Sequence, residues 1–255
     1  MIKQIIPADS YKTRGVFQKD GENYLIVSEF YCDTIQGEGV YTGHPAAFLR
    51  LTGCTMNCSY CDSLEVWRHG TSYSFKELFE LMKKVKLVNK LWNGQHLVLT
   101  GGSPLLQQER LQMFMIAFYK KYNFKPFVEI ENECVKMPDP YQTEYIDCWN
   151  NSPKLSSSGV PFEIRYKPDV IKYLSSLNDS WFKFVITGEE DWEEIEIGFL
   201  LPKLIRKDQI ILMPKGATKE ELEIHRPITI QMAVSNNVRY STREHIVIWN
   251  SAIGV

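Results

Sequence analysis

The chain has 255 residues and a mass of 29.7 kDa, with 44% apolar and 24% charged residues, a net charge of −2 and an isoelectric point near 6.2. These ordinary proportions exclude a disordered chain. The near-neutral balance argues against a sequence-independent grip on nucleic acid, which needs clustered Lys and Arg to displace counterions. No apolar run approaches the ~18 residues of a membrane span, and the opening Met-Ile-Lys-Gln-Ile-Ile-Pro-Ala-Asp turns polar too soon for a signal peptide. A cytoplasmic protein without membrane contact is expected. Thirteen Tyr, thirteen Phe and six Trp provide the bulk for one large core.

In chain order, the first strand-like run is Tyr24–Phe30, followed by a polar loop in which Gln36 and Glu38 stand between Gly37 and Gly39. A carboxylate there can accept two N–H groups from a guanidine-like ring edge, and the amide can serve in either sense. The next run is Ala46–Thr52, which leads into a loop holding Cys54, Cys58 and Cys61. Ser74 and Glu77 form a capping box for a helix whose apolar face is Phe75, Leu78, Phe79, Met82 and Val85. The run His96–Thr100 ends in Gly101-Gly102-Ser103-Pro104, where glycines permit close backbone approach to a ligand and Pro104 suits a helix start.

Leu111, Met115 and Phe118 mark a second helix. Further strands are expected at Pro126–Ile130, Tyr145–Trp149, Trp181–Thr187, Gln209–Met213 and His245–Trp249. Helices are expected over Asp191–Ile205 and after a second capping box at Thr218 and Glu221, with Pro227 breaking the latter. The alternation predicts an α/β fold with a parallel sheet. The length after the cysteines suits a partial (β/α) TIM-like barrel of about six βα units rather than eight, with functional residues just beyond strand C-termini. A single domain over residues 1–255 is expected, divided into an N-terminal extension carrying the Gln36/Glu38 loop (1–45) and a partial barrel (46–255).

Six cysteines would suit three disulfides in a secreted chain, but three of them fall within eight residues. Thiols so close share a metal more readily than they pair with distant partners. Three thiolates can hold three corners of a cuboidal iron–sulfur cluster and leave the fourth iron open to chemistry. Structural zinc normally takes four protein ligands, and neither His44 nor His69 has ligand spacing. A catalytic dithiol has no use for the third cysteine. Cys32, Cys134 and Cys148 read as buried apolar thiols. The acidic run Glu189, Glu190, Asp191, Glu193, Glu194 and Glu196 reads as a solvated helix face, as does the basic set Lys83, Lys84, Lys86 and Lys90.

Cys54-x3-Cys58-x2-Cys61, with Tyr60 before the last cysteine, resembles the radical S-adenosylmethionine (SAM) signature. Thr34-Ile35-Gln36-Gly37-Glu38-Gly39 and Phe48-Leu49-Arg50 before it, and Cys61-Asp62-Ser63 within it, are similar to the 7-carboxy-7-deazaguanine synthase family. So are Ser152-Pro153-Lys154, Phe182–Val185, Leu212–Gly216 and the chain end. This resemblance spans about Phe30 to the terminus. It implies a radical SAM-type barrel and a lyase that converts 6-carboxy-5,6,7,8-tetrahydropterin to 7-carboxy-7-deazaguanine with loss of ammonia, a step toward queuosine.

By the same resemblance, Cys54, Cys58 and Cys61 hold a [4Fe–4S] cluster. Tyr60, Asp62, Gly102, Ser103, Ser152 and Lys154 meet the cofactor side, and Ser63 ligates Mg²⁺. Gln36, Gly37, Glu38, Arg50, Thr100 and Val255 meet the pterin, with Arg50 on its carboxylate. The family's Gly-Gly-Glu-Pro element contacts the SAM amino group, and Ser103 stands here for its Glu. The resemblance implies no catalytic side chain beyond the cofactor, a homodimer, and an electron donor such as flavodoxin or ferredoxin. Two rivals are a glycyl-radical-activating enzyme of the same superfamily and a non-catalytic zinc-stabilised binding module. The Gln36/Glu38 loop and the lack of a second cysteine set favour a small-molecule substrate over the former.

Overall fold

The structure, a computed structural model, describes residues 2–10, 23–252 and 254. Its elements run β1 (Lys3–Ile6), β2 (Tyr24–Ile35), β3 (Pro45–Leu51), α1 (Leu64–Trp67), β4 (Thr71–Ser74), α2 (Phe75–Lys84), α3 (Leu87–Trp92), β5 (His96–Gly101) and α4 (Gln108–Tyr122). They continue β6 (Val128–Asn132), β7 (Cys148–Asn151), α5 (Phe162–Arg165), α6 (Pro168–Ser175), β8 (Ser180–Ile186), α7 (Glu190–Ile195), β9 (Ile210–Pro214), α8 (Lys219–Asn236), β10 (Arg239–Tyr240) and α9 (Glu244–Trp249). One sheet runs β1-β2-β3-β5-β6-β7-β8-β9-β10, with β4 paired to β2. Strands β3 and β5 to β10 are mutually parallel, and β2 lies antiparallel to β1, β3 and β4. Among the described residues the sheet is open at β1 and β10, so the architecture is the expected partial barrel, with the six parallel strands β3 and β5 to β9 as its body.

The reason for this order is visible in the packing. Leu97, Leu99, Val128, Ile130, Phe182, Phe184, Ile210 and Leu212 are fully buried in the parallel strands, as expected of strands covered on both faces. Helix α2 caps as expected. Ser74 Oγ accepts from Glu77 N at 3.3 Å while the Glu77 carboxylate accepts from Ser74 N at 2.9 Å, and Phe75, Leu78, Phe79 and Met82 are buried. Pro104 starts a single 3₁₀ turn that runs into α4, which buries Leu111, Phe114, Met115 and Phe118. Cys32, Cys134 and Cys148 are fully buried.

The structure corrects several expectations. His245–Trp249 is not a strand but lies in helix α9. The β-branched composition suggested a strand, but β10 already occupies the edge beside β9, and a helical turn buries Ile246 while Ile248 stays 45% exposed. Helix α7 ends at Ile195 and is followed by a wide π turn over Glu196–Leu200, where Tyr166 Oη donates to the Gly198 carbonyl at 2.5 Å.

The acidic run is not uniformly solvated. Asp191 is buried and accepts from Thr187 N at 2.5 Å and Gly188 N at 3.1 Å, and Glu194 pairs with Arg165 at 2.7 Å. Lys90 likewise pairs with Asp33. Helix α8 runs through Pro227 to Asn236. Buried Leu222, Thr229, Met232 and Ala233 anchor it on both sides, offsetting the ~3 kcal/mol a proline costs a helix interior. Its cap is also shifted. Thr218 accepts from Glu221 N, but the Glu221 carboxylate accepts from Ala217 N. No helix among the described residues is long and apolar enough to cross a membrane.

Candidate functional site

The C-terminal ends of the parallel strands open onto one cavity, which takes residues from the segments after β2, β3, β5, β6, β7 and β9, from within β8 and from the start of α9. The cysteine loop forms its floor. Gly53, at φ +93°, turns the chain out of β3. Ser103 N then donates to Gly53 O at 2.8 Å, and Thr55 N donates to Ser103 Oγ at 3.0 Å, so the turn after β5 staples the loop. Cys54, Cys58 and Cys61 all line the cavity. Cys54 Sγ accepts from Met56 N at 3.3 Å and Cys61 Sγ from Trp67 Nε1 at 3.4 Å. Burial pushes the Cys54 and Cys58 thiols up, and the neighbouring cysteines add to this; a bound metal would deprotonate them.

A Cβ at Gly102 would lie 2.4 Å from both Cys54 Cβ and Gly53 O. Gly102→Ala must therefore push the cysteine loop outward. The expected result is a lower iron-to-protein ratio after reconstitution with the secondary structure unchanged, read by iron analysis and circular dichroism.

The opposite wall comes from β2 and its following loop. Gln36 Nε2 donates to Glu129 Oε2 at 3.1 Å, and Glu129 also accepts from Asn150 Nδ2 at 2.8 Å and pairs with His96 Nδ1 at 2.7 Å. With its amide nitrogen donating to a carboxylate, Gln36 keeps its oxygen as the acceptor, and that oxygen already takes the Glu38 N–H at 3.2 Å with one lone pair left. Glu38 is held by Lys183 Nζ at 2.5 Å and Arg243 Nε at 2.9 Å, and Arg243 also pairs with Asp62. Burial works against the Glu38 charge, but the Lys183 and Arg243 cations hold its carboxyl well below the usual range. Burial opposes the Asp62 charge too, and Arg243 keeps it low.

His245 stands 3.8 Å from Glu38 and packs against Gly37, where an added Cβ would meet its Nδ1 at 2.2 Å. Burial pushes the imidazole down to about 4, with Arg243 and Lys183 adding to this and Glu38 and Asp62 opposing it. A free histidine titrates near ~6.5. The neutral His245 thus contributes stability that is complete above that value and is lost as pH falls toward about 4. His245→Gln is expected to flatten this limb of a stability-against-pH curve measured by urea unfolding. The Glu38 and Asp62 contributions fade only at lower pH.

Arg50 lines the cavity from β3 and its Nε pairs with Glu29 Oε1 at 2.7 Å, directly across the β2–β3 ladder. Tyr31, stacked on Phe48 with ring centroids 5.2 Å apart, interacts with it from the neighbouring strand. Thr100 Oγ1 donates to Glu131 Oε2 at 2.8 Å, and Lys154 Nζ donates to Ser152 Oγ at 2.7 Å. Ser63 sits at the N-terminus of α1 with its hydroxyl uncommitted to capping. Glu38, Asp62 and His245 bring ligand atoms within 4.8 Å of one another, but Arg243 occupies that acidic pair and neutralises it.

Of the sequence-derived site residues, Gln36, Gly37, Glu38, Arg50, Cys54, Cys58, Tyr60, Cys61, Asp62, Ser63, Thr100, Gly102, Ser152 and Lys154 line this one cavity. Ser103 does not line it. The residue is 1% exposed, and its hydroxyl is turned into the loop beneath Cys54. Val255 lies outside the described residues. Sequence reasoning missed Tyr31, Glu131, Glu133, Lys183, Lys215, Arg243 and His245, which line the cavity as well. A lone Lys within the apolar Phe182–Val185 run, and alternating Glu129 and Glu131 in β6, were the available signals.

Residues 35–131 match the 4Fe-4S single cluster domain family. The chain is 33% identical to a 7-carboxy-7-deazaguanine synthase of Pyrobaculum aerophilum over 225 residues, covering 87% of this chain and 93% of the relative. The chain belongs to the 7-carboxy-7-deazaguanine synthase family. A family member of Halobacterium salinarum is 29% identical, covering 91% of this chain and 93% of its own length. The fold is also that of QueE from Escherichia coli, whose crystal structure aligns with a TM-score of 0.64 at 21% identity, covering 89% of this chain and all of that one. The donor set fits the cluster the family implies. Three cavity-lining thiols come from one loop, two of them accept N–H hydrogen bonds, and the other three cysteines are buried away from the cavity.

Proposed function

We propose that this chain converts 6-carboxy-5,6,7,8-tetrahydropterin to 7-carboxy-7-deazaguanine with loss of ammonia, as a radical SAM lyase. The observation that carries this is a single cavity lined both by the three cysteines and by Gln36, Glu38 and Arg50. Cys54, Cys58 and Cys61 would hold the cluster, which with SAM would supply radical chemistry for hydrogen abstraction from the pterin.

The protein's own share is binding, orientation and exclusion of water. The remaining lone pairs of the Gln36 oxygen and of Glu38 accept from the pterin's guanidine-like edge, with Gly37 making room for His245 beside them. Lys183 and Arg243 keep Glu38 an acceptor throughout. Arg50 offers its planar fork to the substrate carboxylate. Thr100 faces the pterin. Gly102, Ser152, Lys154 and Tyr60 meet SAM, and Ser103 supports the loop that they share. Ser63 would hold Mg²⁺, which would polarise substrate oxygens, and Asp62, paired with Arg243, would orient that ion. No side chain need be a general base. A homodimer reduced by a flavodoxin or ferredoxin completes the proposal.

The test is anaerobic turnover of reconstituted protein with reductant, SAM, Mg²⁺ and 6-carboxy-5,6,7,8-tetrahydropterin, followed by mass spectrometry. Product that depends on SAM is the expected result. SAM cleavage to 5′-deoxyadenosine without 7-carboxy-7-deazaguanine would overturn the substrate assignment. A colourless protein carrying one zinc per chain would overturn the cluster as well.

A further inference from the structure

Ser103 breaks the resemblance in sequence, because it carries no charge where the family has Glu. The structure puts a different carboxylate beside it. Glu133 follows directly on the C-terminus of β6, is 4% exposed and lines the cavity with Cys54, Gly102, Ser152 and Lys154. Its Oε1 accepts from Thr55 Oγ1 at 2.8 Å, and Thr55 is the residue whose N–H and hydroxyl engage Ser103 Oγ at 3.0 and 3.2 Å. The Glu133 Oε2 atom is buried and has no hydrogen-bond partner among the described residues. Lys154 Nζ donates instead to Ser152 Oγ, and no described cation lies within salt-bridge distance of Glu133. A buried carboxylate oxygen without a donor is costly to keep. Its place, one residue from Cys54 through Thr55, calls for a ligand that brings N–H donors and positive charge to the rim of the cysteine loop.

We propose that Glu133 is the acceptor for the α-ammonium group of SAM, supplying from β6 the carboxylate that position 103 lacks. This rests on the reading that SAM binds in this cavity. Charge-assisted hydrogen bonds to an ammonium are among the stronger ones. Thr55 fixes one carboxylate oxygen and leaves the other to the ligand, so the group is oriented before SAM arrives.

The test is equilibrium titration of the cluster-loaded, anaerobic protein with SAM and with the SAM analogue that lacks the amino group, in the wild type and in Glu133→Gln. The variant keeps an acceptor for Thr55, so the loop brace survives. The expected result is a loss of SAM affinity of about tenfold to a hundredfold, with the analogue binding both proteins equally. Equal SAM affinity in the two proteins, or an equal loss for both ligands, overturns the proposal and leaves Glu133 as a brace for the loop. If Glu133→Gln does not retain its cluster, Glu133→Asp, which keeps the charge on a shorter stem, replaces it. A SAM affinity lowered by about threefold or more with the analogue unchanged supports the proposal there, and an equal change for both ligands, or none, overturns it. A wild-type holoprotein that binds no SAM at all overturns the functional reading together with the inference.

Discussion

Cys58→Ala is expected to abolish cluster retention and, with it, SAM cleavage and turnover. The loop offers three thiols to one cavity, and the remaining cysteines cannot replace the missing one, because Cys32, Cys134 and Cys148 are fully buried outside the cavity. The loop cannot slide to compensate either. Ser59 N donates to Ser158 O at 2.9 Å, Gly53 N donates to Trp67 O at 3.0 Å, and Ser103 N holds Gly53 from the neighbouring turn. Cys58 itself lies outside the core clusters, so the apo variant should unfold at the same denaturant concentration as the apo wild type. Iron analysis and visible absorption after anaerobic reconstitution measure the effect. An iron-to-protein ratio equal to that of the wild type would remove Cys58 from the ligand set.

Arg50→Ala is expected to cause two separable losses. The first is binding of the pterin, reduced by about a hundredfold or more, the size expected for removing a charged two-pronged contact to a carboxylate. SAM affinity should stay within a few-fold, and equal losses of both ligands would take Arg50 out of the substrate site. The second loss is stability. Glu29 is 1% exposed, its Oε1 is held by Arg50 Nε, and its Oε2 has no other partner among the described residues. Removing the guanidinium strands a buried carboxylate, a change that costs about 3–5 kcal/mol in comparable pairs. The double variant Glu29→Gln/Arg50→Ala separates the effects. Urea unfolding should show much of the stability restored, while calorimetry should show pterin binding still lost.

Much of this was legible because local chemistry is written in contiguous residues. The capping box at Ser74, the glycine turn after β5 and the three-cysteine spacing each depend on neighbours in the chain. So does the burial of the apolar strand runs, which must be covered on both faces wherever they lie in the sheet. The failures share a cause as well. His245–Trp249 has strand composition, but the sheet edge beside β9 was taken by β10. Pro227 should end a helix, but packing on either side of it holds α8 together. Asp191 and Glu194 look solvated in an acidic run, yet they cap Thr187 and Gly188 and pair with Arg165.

By itself, the sequence determined the alternation of strands and helices, the cluster loop and, through its resemblance to the family, about half of the residues around the cavity. The first two follow from periodicity, from turn chemistry and from cysteines that lie close together in the chain. Only the tertiary structure decided how the charges are shared. Lys183 and Arg243, 145 and 205 residues from Glu38, are what hold it as an anion. Glu129 fixes which end Gln36 presents, Glu29 stands behind Arg50, and Glu133 meets Ser103 through Thr55. A buried charge is stable only beside its counter-charge. Since each parallel strand brings its C-terminus to the same rim, those partners come from elements far apart in sequence.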